Sequence, residues 1–356
     1  MIVEPAERTV LATIRSPGFR TIAPVFDGGV AIPDNVRQAC TAWEQRCFAA
    51  RDVVIRVVHD VYVAAEGLVF DRDGRLLRYS IRQHEPDMIE QAARAVQLAI
   101  AGAPLPRYDL PLVLGKKRGA FNYGHWMIET VPMLHLALSR LDDDAIGVLV
   151  HDVTDPMLGR IMQQTLRRLG IADHRVRVSG MEPVFVRELI MIEGMTDHGS
   201  YMSPLVRECH ARLSHGVAGS GIERVFLLRG PSLSRRLPDE AHMTRMAIER
   251  KFVVLAPGSL DLDEQIALMR DARVVTGVMG AAMTNLIYAR EGARAAIFAP
   301  ASMPDTFFWF IANLCKLPYR EIRCAQSGPG EEWNRGLDLG FRTFRRVLDQ
   351  EIAALA

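Results

Sequence analysis

Apolar positions change period several times along the chain, and each change predicts an element. The first fifty residues are weakly periodic, with turn signals at Asp27-Gly28-Gly29 and Pro33-Asp34. From Asp52 the run VVIRVVHDVYVAAEGLVF, the turn Asp71-Arg72-Asp73-Gly74 and the run RLLRYSI predict β-structure with a hairpin. Helical spacing follows over 86–101, stopped by Gly102 and the prolines at 104 and 106. A second helix is predicted over 125–141, with Pro132 inside it to kink or break it. Then come a strand at 146–151, a helix at 156–169 ended by Gly170, and strands at 176–178 and 184–192.

The second half alternates more cleanly. Strands at 225–228, 252–255, 273–276 and 294–298 are separated by helices at 239–251, 262–271 and 281–289. Short apolar strands between amphipathic helices predict a doubly wound α/β domain. The boundary is placed in 194–221, where five glycines flank a helix at about 204–215. The tail, 341–356, carries Phe341, Phe344, Val347, Leu348 and Ile352 at the spacing of an amphipathic helix.

With 356 residues, two domains are expected, and an apolar share of 49% excludes disorder as the main state. Forty-three basic against forty-two acidic residues argue against nucleic acid as the main partner. Lysine stands only at 116, 117, 251 and 316, so arginine carries most of the positive charge. That bias suits phosphate or carboxylate recognition, and genome composition accounts for it equally well. Cys40, Cys47, Cys209, Cys315 and Cys324 form no metal-ligand spacing and read as free thiols. Near the N-terminus Glu4, Glu7, Arg8 and Arg15 interrupt any signal-like run, and no stretch is long and apolar enough for a membrane span. A cytoplasmic protein is expected, with room left for peripheral membrane association and no statement about oligomeric state.

Three segments could carry chemistry. In Asn122-Tyr123-Gly124-His125-Trp126-Met127-Ile128-Glu129, His125 and Glu129 stand four apart and share a helix face. A carboxylate one turn from an imidazole fixes its tautomer and raises its basicity, as a general base requires. A buried capping histidine beside a core tryptophan has the same spacing. Next, Arg229-Gly230-Pro231-Ser232-Leu233-Ser234-Arg235-Arg236 follows a strand and so lies at a carboxyl edge, where open α/β sheets bind ligands. Its arginines suit an anion such as diphosphate, though a solvated polar loop reads alike. Last, Thr276-Gly277-Val278-Met279-Gly280-Ala281-Ala282-Met283-Thr284-Asn285 reads as strand, glycine turn and helix start. Such a turn either aims N–H groups at phosphate or serves tight packing. Asp197 and His198, in a loop between the two predicted domains, either line a ligand site or belong to a solvated linker.

In this order NYGHWMIETVPMLHLAL, LLRGPSLSRRLPDE and VVTGVMGAAMTNLIYAREGARAAIFAP resemble glycosyltransferase family 61, over about residues 119–300. The family's glycine turn usually carries a histidine where this chain has Met279, and often a glutamate where it has Phe298. The resemblance implies a GT-B-like α/β fold, with two Rossmann-like domains facing each other across a cleft and a C-terminal crossing helix. Residues 1–200 would form the acceptor-side domain with its β-rich N-terminal segment, and 201–340 the nucleotide-sugar domain. Residues 341–356 would form a helix packing back on the first domain.

The resemblance further implies an inverting, metal-independent hexosyl- or pentosyltransferase of cell-surface (capsular) polysaccharide biosynthesis in bacteria. Its partners would be a nucleotide-sugar donor, used as substrate rather than cofactor, and a glycan acceptor. His125 would be the base, with Glu129 orienting it. Arg229, Ser234, Arg235, Arg236, Gly280, Ala281, Thr284 and Asn285 would hold the donor. Asn122, Tyr123, Trp126, Asp197 and His198 would face the acceptor. The alternative is a catalytically silent sugar-nucleotide or glycan-binding relative that supports a partner enzyme, motivated by Met279 and Phe298.

Overall fold

A computed structural model describes residues 2–4, 10–27, 29–230, 234–328 and 332–355. Gly28 of the N-terminal turn and 231–233 of the arginine loop lie outside the described residues. The chain divides into two compact units, Met1–Pro17 with Ala50–Thr196 and Gly18–Ala49 with Asp197–Ala356. Both mix helices with parallel strands, so the fold class is α/β.

The first unit is built on a mixed sheet. The long strand Arg51–Ala64 turns into Leu68–Phe70, and a second turn leads to Leu76–Leu77, both pairings antiparallel. On its other side Arg51–Ala64 runs antiparallel to Val184–Glu193. From there the sheet becomes parallel, through Leu112–Leu114, Gly147–His151 and Val176–Ser179. In chain order these four parallel strands are arranged fourth, first, second, third, so the order reverses between Leu112–Leu114 and Val184–Glu193. Valine and leucine from the strands, with Met191, fill one core, and the helix Pro86–Ile100 closes a second through Ala92 and Val96.

The second unit carries five parallel strands in the order Val253–Leu255, Arg224–Leu227, Val274–Val278, Arg294–Pro300, Tyr319–Ser327. This is the 2-1-3-4-5 winding, whose switch point lies between Arg224–Leu227 and Val274–Val278. Helix starts are fixed by side-chain caps at Asp239 and Asp261, the latter forming a reciprocal capping box with Glu264. The stretch 281–289, expected as an α-helix, is a 3-10 helix over Ala281–Tyr288.

Two expectations need correction. The tail helix Phe341–Ala353, expected to pack back on the first domain, places Phe344, Val347 and Leu348 in the second unit's own core with Phe226, Met243 and Phe298. The Phe298 and Phe344 rings stack with centroids 5.3 Å apart. Residues Gly18–Ala49, expected in the first domain, belong to the second unit. There Val25–Asp27 adds a parallel strand beside Tyr319–Ser327, and the Trp309 indole donates to the Ile22 carbonyl at 2.8 Å.

Candidate functional site

In the first unit the side chains of interest gather where the strand order reverses. The Asn122 side chain caps the turn Tyr123–His125 by accepting from the Gly124 N–H at 2.9 Å. Trp126 was expected on the acceptor side. It is instead a core anchor, fully buried with its indole N–H on the Thr165 hydroxyl at 3.0 Å. Trp126–Thr130 forms a π-turn, in which the Val131 N–H donates to the Trp126 carbonyl before Val131–Leu141 continues as α-helix. Pro132, which cannot donate, thus stands in the first turn of an α-helix instead of interrupting one.

Across this turn His125 Nδ1 lies 3.2 Å from Glu129 Oε2. Lys117, which follows the strand Leu112–Leu114, places its ammonium 3.2 Å from the same carboxylate oxygen. It also donates to the Thr196 hydroxyl at 3.0 Å. Glu129 is almost fully buried, whereas the His125 ring keeps 21% of its side chain exposed. The ring rests on Gly119, whose φ of +74° and contact distance of 2.9 Å leave no room for a Cβ. The result is a half-open imidazole backed by a buried carboxylate that an ammonium also holds. Lys117 and Thr196 were not recognised in the sequence, because only the fold brings Lys117 beside Glu129 and Thr196 beside Lys117.

In the second unit the arginine loop and the glycine turn meet at the switch point. Arg229 Nη1 and Arg235 Nη1 both donate to the Met279 carbonyl at 2.9 Å, and Arg229 Nη2 donates to the Ser234 hydroxyl at 2.9 Å. Any Cβ on Gly280 would fall on the Arg229 guanidinium, which is why the turn needs glycine there. Burial, and secondarily Arg235, lowers the Arg229 pKa to about 10. Burial also lowers that of Arg235, with Asp305 opposing it. Among the described residues neither guanidinium has a carboxylate within ion-pair distance. Two largely desolvated cations, which Asp305 reaches only beyond ion-pair distance, are an arrangement able to take an anion.

The other residues fall in varied places. Arg236 is exposed, and its carbonyl accepts from the Leu337 N–H. Ala281 is half-buried at the head of the 3-10 helix. Thr284 and Asn285 are interior. Asn285 is fully buried, donates to the Gln265 side chain at 2.9 Å and ties the 3-10 helix to Leu262–Arg270. The Met279 side chain is buried while its backbone serves the arginines, and Phe298 is a core ring. Tyr123 and Asp197 are half-buried, and the exposed His198 ring tilts over Phe307 at 6.0 Å.

An α/β chain with an anion-binding switch point and an imidazole–carboxylate pair has the equipment of a group-transfer enzyme that uses an activated phosphate ester. The model of the family described as Glycosyltransferase 61 matches residues 123–296, a span that includes His125, Glu129, Arg229, Arg235 and Met279. Over that span the chain is similar to glycosyltransferase family 61. No curated protein matches it.

Proposed function

We propose that the protein is an inverting, metal-independent glycosyltransferase of cell-surface polysaccharide assembly, working in the cytoplasm. The reading rests above all on Arg229 and Arg235 converging on the Met279 carbonyl with no carboxylate within ion-pair distance among the described residues. A nucleotide diphosphate would supply the missing negative charge. As the bond from the anomeric carbon to the diphosphate oxygen breaks, the developing charge would fall on guanidinium groups already in place. His125 would take the proton from the acceptor hydroxyl as that oxygen attacks the anomeric carbon from the opposite face. Glu129, held by Lys117, would stabilise the imidazolium so formed. The GT-B arrangement of the two units is part of this proposal.

The substitutions that cast doubt on activity lose much of their force. Position 279 acts here through its carbonyl, and Phe298 packs the core. Thermal shift with UDP, GDP, CDP and CMP sugars should identify a stabilising donor, and Arg229→Met should abolish the shift. His125→Ala should lower kcat far more than donor affinity, and unchanged turnover would remove His125 from the mechanism. Transfer should persist in excess chelator. Loss with EDTA and recovery with manganese would overturn metal independence, and binding without any turnover would favour a silent relative.

A further inference from the structure

A second group of side chains in the first unit has no part in the chemistry above. It lies at the carboxyl ends of Gly147–His151 and Val176–Ser179. A cavity of about 230 Å³ is lined there by Phe121, His151, Asp152, Asp155, Gly180 and Met181, among others. His151, Asp152 and Val153 also line a neighbouring cavity of about 470 Å³. The His151 side chain is only 4% exposed, and its Nε2 has no hydrogen-bond partner among the described residues. An orphaned buried nitrogen on a cavity wall calls for a ligand group. Phe121 and Met181 are 52% and 49% exposed, and the Phe121 ring stands edge-on to His151 at 6.0 Å.

We propose that this cavity is a subsite for one neutral sugar ring of the acceptor glycan, with Phe121 as the platform for its C–H face and His151 and Asp152 as partners for its hydroxyls. The proposal rests on the glycosyltransferase reading above. Charge selects the ligand class. Asp152 and Asp155 stand on the wall, so an anion would meet two carboxylates. Lys116 is 1% exposed, absent from the wall, and committed to the Ser179 hydroxyl at 3.0 Å and the Gly180 carbonyl. Its nearby charge, together with burial, keeps His151 neutral, with a pKa of about 3, so the ring meets a hydroxyl as an uncharged partner. Position agrees with the role. The loop after Leu112–Leu114 carries Lys117, which holds Glu129, and four residues later Phe121.

Saturation-transfer NMR on the full chain, with glucose, galactose, mannose, N-acetylglucosamine and glucuronate as probes, tests the subsite. At least one neutral sugar should bind, with glucuronate weaker by about fivefold or more. Phe121→Ala and His151→Leu should each weaken the neutral sugar by about fivefold or more, and His151→Asn should recover part of the loss. Asp152→Asn, on the exposed rim, should weaken binding without lowering the melting temperature. No neutral-sugar signal, stronger glucuronate binding, or unchanged affinity in the Phe121 and Asp152 variants would overturn the subsite. Adding UDP to the same samples separates the two readings. Nucleotide binding without sugar binding defeats the subsite alone, whereas sugar binding that survives with no nucleotide binding supports the subsite and counts against the transferase.

Discussion

Burial disfavours the charged form of both Lys116 and His151, and the Lys116 charge further lowers the pKa of His151. The Lys116 pKa falls from 10.5 to about 8. Between those values the unfolded chain keeps a proton that the folded one has lost, so the Lys116 contribution to stability should rise with pH across that window, against the opposite contribution of the buried thiols Cys40, Cys209, Cys315 and Cys324, whose pKa values burial raises. Relative to Lys116→Met the slope should be more positive by up to about 1.4 kcal/mol per pH unit. Urea midpoints for the two proteins between about pH 8 and pH 10 check this, and parallel curves would contradict it. For His151, lowered from 6.5 to about 3, the sign is the same in a lower window. Stability should fall as the pH drops from 6.5 towards 3, less steeply in His151→Asn. Gly280→Ala belongs to this scale too. Its methyl would displace the Arg229 guanidinium from the Met279 carbonyl, so nucleotide affinity should fall by about tenfold or more while the urea midpoint moves little.

Among the elements, the π-turn Trp126–Thr130 has a sequence-level cause in Pro132 and a consequence at His125. π-turns recur at functional sites because they reorient side chains that a regular helix would place differently. Pro132→Ala restores a donor and lets the regular helix extend backwards. We expect stability to hold or rise while turnover falls, read from paired melting and transfer assays. The C-terminal helix gives a packing prediction. Phe344 is fully buried against Phe226 and Phe298, so Phe344→Ala should cost about 3–5 kcal/mol. A urea titration measures it. These elements also show how far the sequence could be read. The alternating strands and helices of 224–298 were legible because each helix buries one face and each strand is short and apolar. Phe307–Leu314 was not, because seven of its eight residues are buried and no polar face marks its period. The His125–Glu129 pair was legible as a spacing of four, whereas Lys117 and Thr196 reach it only through neighbouring strand ends. Asn285 and Trp126 misled, since a polar or aromatic residue in a motif says nothing of which way it faces.

At the scale of the whole chain, the second unit is discontinuous in sequence, because Gly18–Ala49 precedes most of the first unit and Asp197–Ala356 follows it. The early segment is built into the interior of its unit. Phe26 meets Trp43 at 4.9 Å, and both rings lie beside the Arg323 guanidinium, itself fully buried and paired with Glu321. Asp27 pairs with Arg320 at 3.2 Å and Arg346 at 2.9 Å. Removing the segment would open the edge of Tyr319–Ser327, where Val25–Asp27 pairs, and uncover a buried ion pair. Leaving such groups without their cover costs several kcal/mol, comparable with the about 5–15 kcal/mol that holds a domain folded. We therefore expect 197–356 expressed alone to aggregate or to melt without cooperativity. Fusing 18–49 to it through a flexible linker should restore a sigmoidal urea transition and a response to nucleotide diphosphate. Equal cooperativity in the two proteins would show that the early segment decorates the second unit without completing its core.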